Sequence, residues 1–299
     1  MLTACRRAPA RDGRFFVCVL EVVVSRPTPL RPGEVAPQGP FRHDHVHVRG
    51  VRLHVAHSGD AHAPLVVLLH DWPGAWFDYF WAIEPLAAAG FHAAALDFRG
   101  VGLSDKPPAG YDVRFAAGDV VAAIRALGYE DALVVGSGSG AAVAWAAAAR
   151  YPEVVRGVVA VCGTWPGLQR RQLVWPRAIR RHPTQWAHAM TRRSSSADGV
   201  AVQRVSQLAE WRARHARVVP VVEKMAQWAR VVSSGVPTRW AKPPVGQPVV
   251  LFTDGSPRWQ RLARQAATLA PRLRVEEGTS RLPFVEDPEA FARTVATLT

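Results

Sequence analysis

The sequence lacks the features that mark several classes of protein. It has three cysteines, with no CxxC pair, and we predict neither a disulfide framework nor a metal site. It also has no uncharged apolar run near the roughly 18 residues that span a membrane, because Glu21 interrupts the run at 15–24. We therefore expect a cytoplasmic protein that has no transmembrane segment and needs no cofactor.

What the sequence does contain is the composition of an ordinary globular protein. Of its 299 residues, 48% are hydrophobic and 20% are charged, which excludes disorder of the whole chain. Residues 1–40 differ from the rest, because arginines precede the apolar run and a proline-rich stretch follows it. Since no signal-peptide cleavage pattern follows that run, we interpret 1–40 as a flexible extension or as a start site placed too far upstream.

Positive charge is concentrated in one segment of the chain. The net charge is +13, and residues 167–243 alone contain 15 Lys and Arg against three Asp and Glu. The same segment has five tryptophans and no tyrosine. A basic segment with interleaved aromatic residues attracts polyanions. An anionic partner, such as nucleic acid, anionic lipid or an acidic protein, therefore remains one possible ligand of this segment, although no nucleic-acid motif accompanies it.

Hydrophobic periodicity predicts strands and helices in alternation from residue 41 onward. The predicted strands are 44–48, 51–56, 65–69, 92–96, 132–135, 155–161, 248–252 and 273–276. A short hairpin followed by strand–helix repeats predicts an α/β protein with a mostly parallel, eight-stranded sheet and helices on both faces. The basic segment interrupts this alternation after the sixth strand. We therefore predict a core formed by 41–166 and 244–299, with a helical insertion at 167–243.

Four motifs in one order make this chain resemble a known family. Residues 70–74 read HDWPG where the family has HGxPG, residues 97–107 follow the pattern DxRGxGxSDKP, residues 136–140 read GSGSG, and residues 282–291 complete the set. Together they resemble the α/β-hydrolase fold, and most closely its epoxide hydrolase and haloalkane dehalogenase-like branch. The resemblance covers residues 41–298, and it implies that the basic insertion is the helical lid, or cap, of that family.

The resemblance implies a nucleophile and a base at positions that are altered here. The nucleophile belongs at the centre of a sharp strand-to-helix turn, which we call the elbow (residues 136–140). Its flanks, Gly136 and Gly140, are small as required, but the central residue is Gly138, which has no side chain. The family's base falls at Arg281, and a guanidinium does not deprotonate. No histidine follows His215, so a shifted alignment supplies no base either.

The acid and the oxyanion-binding turn of the family are altered as well. The acid falls at Ser256 or Pro257, while Asp254 is either a displaced acid or a residue that forms the turn. Asp71 replaces the glycine of the HGxPG turn, where an inward carboxylate would repel an oxyanion. Both orientations of Asp71 remain open. The lid tyrosines that open epoxides in this branch also have no counterpart, because the predicted lid contains no tyrosine.

These substitutions favour a pseudoenzyme, a homologue with a degenerate catalytic triad that acts by binding. Aromatic residues after two strands, Trp72 and Trp165, together with Asp71, predict a pocket for an apolar small molecule or a protein partner at the carboxyl edge of the sheet.

An active hydrolase of esters or epoxides is the alternative interpretation. In it the catalytic groups are relocated, with Ser137 or Ser139 as the nucleophile and His70 as the base, because His70 ends the strand beside the elbow. The competing structural interpretation is that both serines only let strand and helix approach closely, and that His70 braces its turn by hydrogen bonds.

Overall fold

The structure is a computed structural model that describes residues 29–166, 199–218, 221, 224, 244–277 and 280–299. Within these residues the strands are β1 (Arg42–Val48), β2 (Val51–Ser58), β3 (Leu65–Leu69), β4 (His92–Leu96), β5 (Ala132–Ser137), β6 (Val155–Val161), β7 (Val249–Phe252) and β8 (Leu273–Glu276). They form one eight-stranded sheet in the order β1-β2-β4-β3-β5-β6-β7-β8.

The sheet is mostly parallel, as the sequence predicts. Strand β2 is antiparallel to both of its neighbours, β1 and β4. The pairs β3–β4, β3–β5, β5–β6, β6–β7 and β7–β8 are all parallel. Every residue of β3, β4 and β5 is buried, which explains why these strands are apolar runs rather than alternating patterns. The carboxyl ends of the parallel strands therefore meet at one edge of the sheet.

Helices cover this sheet in two groups. The helices of the described residues are α1 (Ile83–Ala88), α2 (Val113–Ala126), α3 (Ser139–Arg150), α4 (Gly199–His215), α5 (Pro257–Ala267), α6 (Pro283–Glu286) and α7 (Pro288–Ala296), with short 3-10 helices at Pro32–Glu34 and Trp76–Tyr79. Helices α2 and α3 pack against each other, whereas α1 packs against α7. Among the residues described, no helix combines the length and apolar character that crossing a bilayer requires. The predicted α/β architecture is confirmed.

The predicted insertion contains helix α4, which lies between β6 and β7 in the chain. Its helical character agrees with the sequence, and the remainder of 167–243, apart from residues 216–218, 221 and 224, lies outside the described residues. Residues 1–28 of the predicted extension lie outside them as well.

The end of the predicted extension differs from the expectation of a segment separate from the core. Val35 is buried in the main hydrophobic cluster. The Leu30 N–H donates to the carbonyl of Arg217, and the guanidinium of Arg214 donates to the carbonyl of Glu34. Residues 30–35 therefore lie against the core and against the segment that follows α4, because an apolar side chain and two hydrogen bonds attach them there.

Candidate active site

The elbow has the backbone that the sequence predicts. Strand β5 ends at Ser137, helix α3 begins at Ser139, and Gly138 between them has φ +49° and ψ −107°. This is a left-handed conformation that glycine adopts without steric cost. A Cβ on Gly136 would lie 2.4 Å from the carbonyl of Gly140, and a Cβ on Gly140 would lie 2.1 Å from the carbonyl oxygen of Leu69, so both flanks must be glycine for the turn to close. The structure thus confirms the predicted geometry of this turn.

Asp71 fills the space where a side chain on Gly138 would begin. A Cβ on Gly138 would lie 2.1 Å from both Cγ and Oδ2 of Asp71. The backbone N–H of Ser139 donates to Asp71 Oδ1 over 2.7 Å, and the Ser139 hydroxyl donates to the same oxygen over 2.9 Å. The carboxylate therefore points inward and caps helix α3, where negative charge is favourable. This answers the question of orientation that the sequence leaves open.

The electrostatic surroundings of Asp71 combine burial with a nearby cation. Burial raises the pKa of Asp71, and the hydrogen bonds from Ser139 and the attraction of Arg212 oppose that rise. Arg212 belongs to α4 and is buried, and its guanidinium donates to both carboxylate oxygens of Asp78 at 2.9 and 2.7 Å. The inserted helix therefore brings a positive charge towards Asp71. Sequence reasoning missed this contribution, since nothing in the pattern distinguishes Arg212 from other lid arginines.

At the predicted position of the base, Arg281 is paired with a carboxylate. Its Nε and Nη2 atoms donate to Asp254 Oδ2 over 3.1 and 2.8 Å. Asp254 also accepts from the Ser256 N–H, and these hydrogen bonds hold the pKa of Asp254 below its usual value although burial opposes them. Ser256 precedes helix α5 and Pro257 is its first residue, so neither contributes a carboxylate. Asp254 acts as a turn former and as a partner of Arg281.

The predicted surrogate residues do not come together as a serine–histidine pair. His70 Nδ1 donates to the backbone carbonyl of Asp71 over 3.0 Å, and its Nε2 accepts from the Phe98 N–H over 3.3 Å. Both ring nitrogens are thus used by backbone groups. Ser139 faces Asp71 instead, and Ser137 is buried at the end of β5. His70 braces its turn, as the structural interpretation of the sequence holds.

A second buried histidine lies near this edge and comes from the inserted helix. His215 Nε2 accepts from the Gly102 N–H over 3.1 Å, and its Nδ1 lies 3.3 Å from the carbonyl of Pro73. Burial lowers the pKa of His215 to about 4, so the ring is neutral at pH 7. The sequence identifies His215 only as the last histidine of the chain. Its contact with two turns of the core depends on how the lid folds back, which periodicity does not encode.

The predicted pocket residues lie on either side of the elbow but differ in exposure. Trp72 is partly exposed, while its indole Nε1 is buried and makes no hydrogen bond. Trp165 is 1% exposed and packs into the core. Thr164, which precedes it, is buried and its hydroxyl makes no hydrogen bond.

Cys162 has φ +46°, and burial raises the pKa of its thiol to about 12, so it is no nucleophile at neutral pH.

Comparison with known proteins supports the same fold. A family model described as the alpha/beta hydrolase fold matches residues 64–192. An AB hydrolase superfamily protein of Bacillus subtilis is 38% identical over 118 residues, which cover 39% of this chain and 41% of that protein. Epoxide hydrolase B of Mycobacterium tuberculosis is 40% identical over 129 residues, which cover 42% of this chain and 36% of that protein.

A solved structure matches over a larger part of the chain. An epoxide hydrolase from an endophytic Streptomyces has a TM-score of 0.66 and 21% identity, and the match covers 87% of this chain and 96% of that chain. At this identity the likeness establishes the fold alone. The chain spans about two fifths of the length of the curated relatives that it matches. The chain therefore has the α/β-hydrolase fold, and it resembles the epoxide hydrolase-like branch of proteins with that fold.

Proposed function

We propose that this protein lacks the hydrolytic activity implied by its resemblance and acts by binding. The observation that carries this proposal is the exchange at the elbow, where the Asp71 carboxylate takes the place of a side chain on Gly138. A nucleophile added at Gly138 would overlap that carboxylate. In its present place Asp71 caps a helix, and its Oδ1 accepts two hydrogen bonds from Ser139.

The position of the base supports the same proposal. Hydrolysis needs a group that takes a proton from water, within hydrogen-bond reach of the reacting atoms. Arg281 has a guanidinium, a group that does not act as a base in proteins, and it is paired with Asp254. The nearby histidines, His70 and His215, each have both ring nitrogens directed at backbone groups. None of these four residues is placed to activate a water molecule.

An apolar small molecule at the carboxyl edge of the sheet is the ligand that we propose first. The partly exposed Trp72 supplies an apolar surface beside the elbow, and its indole N–H is a hydrogen-bond donor without a partner. Ligand sites of open parallel sheets lie at this edge. A protein partner remains the second possibility. Docking of an anionic partner on the basic lid stays a prediction, because most of that segment lies outside the described residues.

The alternative function is that of an active hydrolase, which the names of the relatives favour. The relocated arrangement predicted from sequence would use Ser139 or Ser137 with His70. Its support is weaker, because the Ser139 hydroxyl bonds to Asp71 and both nitrogens of His70 are occupied.

Steady-state hydrolysis of styrene oxide and of p-nitrophenyl acetate by the purified chain tests this proposal. We expect less than one product molecule per chain above the buffer rate, with Ser139→Ala and His70→Gln indistinguishable from the wild type. Multiple turnovers that either substitution abolishes would establish the relocated hydrolase. Slow turnover of p-nitrophenyl acetate alone that neither substitution changes is surface reactivity, whereas multiple turnovers of styrene oxide by either the wild type or the variants would contradict the proposal.

A further inference from the structure

A row of hydrogen bonds crosses the first strands of the sheet and ends in two loops. It joins Asp44 of β1, His57 of β2, His92 of β4, the hydroxyl of Tyr129 and the carbonyl of Ala61, which together we call the His57 network. Its contacts measure 2.8 Å (Asp44 Oδ2 to His57 Nε2), 2.8 Å (His57 Nδ1 to His92 Nε2), 2.7 Å (His92 Nδ1 to Tyr129 Oη) and 2.6 Å (Tyr129 Oη to the Ala61 oxygen). Both imidazole rings are buried. Each distance is that of a hydrogen bond, so each contact needs one proton.

The carbonyl at the end of this network fixes the direction of its bonds. A carbonyl oxygen only accepts, so the Tyr129 hydroxyl donates to Ala61 and its oxygen accepts from His92 Nδ1–H. Burial raises the pKa of Tyr129 and lowers the pKa of His92 to about 4, so at pH 7 the phenol keeps its proton and the His92 ring is neutral. His92 Nε2 is therefore unprotonated, and it accepts from His57 Nδ1–H.

The His57 network has four hydrogen bonds, but its neutral side chains supply only three protons. Tyr129, His92 and His57 have one each, and the Asp44 carboxylate has none. With the single proton of neutral His57 on Nδ1, its Nε2 would face the Asp44 carboxylate with a lone pair on each side. We infer that the His57 network binds one proton beyond those of its neutral side chains, and that this proton lies in the contact between His57 and Asp44. Imidazole is a stronger base than a carboxylate, so His57 is an imidazolium paired with Asp44.

A second histidine network on the other face of the same hairpin needs no extra proton. His43 precedes Asp44 in β1 and so points to the opposite face. Its Nδ1 lies 2.9 Å from His54 Nε2, and His54 Nδ1 lies 2.9 Å from Asp97 Oδ2. These two contacts need two protons, which two neutral rings supply. Burial lowers the pKa of His43, in agreement with a neutral ring. The extra proton therefore distinguishes the His57 network from another buried pair of histidines.

Charged groups of both signs surround the His57 network. After burial, the charges of His57 and of Arg42 on β1 lower the pKa of His92, whereas Asp60 in the turn after β2 raises it. His57 also lowers the pKa of His43. Since these surrounding charges oppose one another, the carboxylate within the network is the group that pairs with the extra proton.

The extra proton makes the attachment of strand β1 sensitive to pH. A histidine in an unfolded chain is protonated only below about pH 6.5, so above this value the folded protein binds one proton more than the unfolded protein. The stability that this proton contributes is complete below pH 6.5 and is lost as the pH rises through the value at which the network releases it. The Asp44 side chain is 67% exposed, so water then replaces its contact with His57. Because β1 lies at the edge of the sheet, alkaline pH loosens this edge.

Nitrogen-15 NMR of the full chain, labelled in its histidine rings, tests the inference at pH 7. In an imidazolium the two ring nitrogens have similar chemical shifts, whereas in a neutral ring the unprotonated nitrogen is far removed from the other. We expect His57 to have both ring nitrogens protonated and His92 to be neutral with its proton on Nδ1. His57→Gln and His92→Gln assign the two signals.

Two variants change the number of protons that the network needs, which a purely structural role of these residues would not do. In Asp44→Asn the amide N–H supplies the fourth proton, so His57 should become neutral with its proton on Nδ1, while His92 stays unchanged. In Tyr129→Phe only two contacts remain, so His57 should become neutral and the proton of His92 should move from Nδ1 to Nε2. Asp60→Asn is the matched control, because it removes a nearby carboxylate that binds the His62 N–H outside the network, and it should change neither ring.

The spectra separate the inference from its alternatives. A wild-type His57 with one unprotonated nitrogen at pH 7, or a His92 with its proton on Nε2, would overturn it. A His57 that stays doubly protonated in both Asp44→Asn and Tyr129→Phe would overturn it as well, because its charge would then not depend on the network. If Asp60→Asn also makes His57 neutral, local charge rather than the hydrogen bonds holds the proton, and the inference is wrong. Should a variant not fold, the wild-type spectrum decides alone.

Discussion

The turn that follows β4 (residues 97–107) and the elbow that follows β5 both match family motifs in spacing, but their side chains differ in what they do. In the first turn, the Asp97 carboxylate accepts from the Trp76 and Leu103 N–H groups and from His54. Arg99 forms two hydrogen bonds to the buried Asp119 at 2.6 and 2.7 Å. These motif residues each support the backbone around them.

The elbow, by contrast, has the spacing of its motif but a glycine, Gly138, at its centre. The two flanking glycines keep strand and helix close, while the carboxylate is supplied by Asp71 from another loop. Arg281 and Asp254 likewise pair with each other. The two regions therefore differ in what their side chains bind. The motif residues of the first turn bind backbone and buried groups around it, whereas at the positions where the resemblance implies catalytic groups the side chains bind one another or cap a helix.

The largest effect that we expect follows from removing the Asp97 carboxylate. Asp97→Ala leaves the donors of Trp76, Leu103 and His54 buried without an acceptor, which should lower the free energy of unfolding by roughly 3–5 kcal/mol. Urea denaturation measures this. Asp105→Ala is the control in the same motif, because its pair with Arg52 is exposed, and it should cost less than about 1 kcal/mol. Equal costs for both variants would contradict the comparison.

A smaller effect is expected from pH through His215. The folded pKa of His215 is about 4, below the usual 6.5, so the unfolded chain binds more protons between these values. Stability is therefore greatest above pH 6.5 and falls as the pH drops towards 4, by roughly 2–3 kcal/mol for this residue. Asp97 adds a separate loss only below its unfolded pKa of 3.8, since its folded pKa is lowered, chiefly by His54 against the effect of burial.

Urea midpoints measured from pH 7 to pH 4 provide the check. His215→Gln, which does not titrate, should reduce the decrease between pH 6.5 and 4 but not remove it, because burial also lowers the pKa of His92 to about 4. If the urea midpoint of the variant falls with pH as steeply as that of the wild type between pH 6.5 and 4, His215 does not contribute to this decrease in stability.

The smallest effect should come from the pair at the position of the base. The side chains of Arg281 and Asp254 are 41% and 21% exposed, so solvent screens their attraction. We expect Arg281→Gln to change the free energy of unfolding by less than about 1 kcal/mol, and by less still at high salt. Thermal denaturation at two salt concentrations checks this. A loss as large as that of Asp97→Ala would mean that the pair supports the fold, contrary to the distinction between the two regions.

The sequence predicted the strands and the elbow well, because patterns within short segments of the chain specify them. Strands β3, β4 and β6 have the predicted bounds, since a short apolar run between polar turns specifies a buried strand. Strand β8 also has its predicted bounds, although it is not buried. The sharp turn between β5 and α3 was also predicted, and Gly138 at its centre has φ +49°. This prediction needed only the register of a motif.

What the sequence did not provide were contacts between distant segments. The inward direction of Asp71 depends on the Ser139 donors, which lie one strand away in the sheet. Arg212 and His215 reach the core only because helix α4 packs on it, and helical periodicity does not say which turn of the core a lid residue will meet. Side-chain orientation at the site is a tertiary property, so patterns within single segments left it open.

A double-mutant cycle between Asp71 and Gly138 tests most directly the claim that Asp71 has taken the place of the elbow side chain. Gly138→Asp alone should lower the free energy of unfolding by roughly 2–4 kcal/mol, because the new side chain overlaps the Asp71 carboxylate. Asp71→Gly alone should cost roughly 1–2 kcal/mol as the cap of α3 is lost. The backbone strain of a non-glycine residue at position 138 cancels in the cycle. We predict that the double variant loses at least about 1–2 kcal/mol less free energy of unfolding than the two single losses added together. Additive losses would contradict the claim that Asp71 occupies the place of a side chain at position 138.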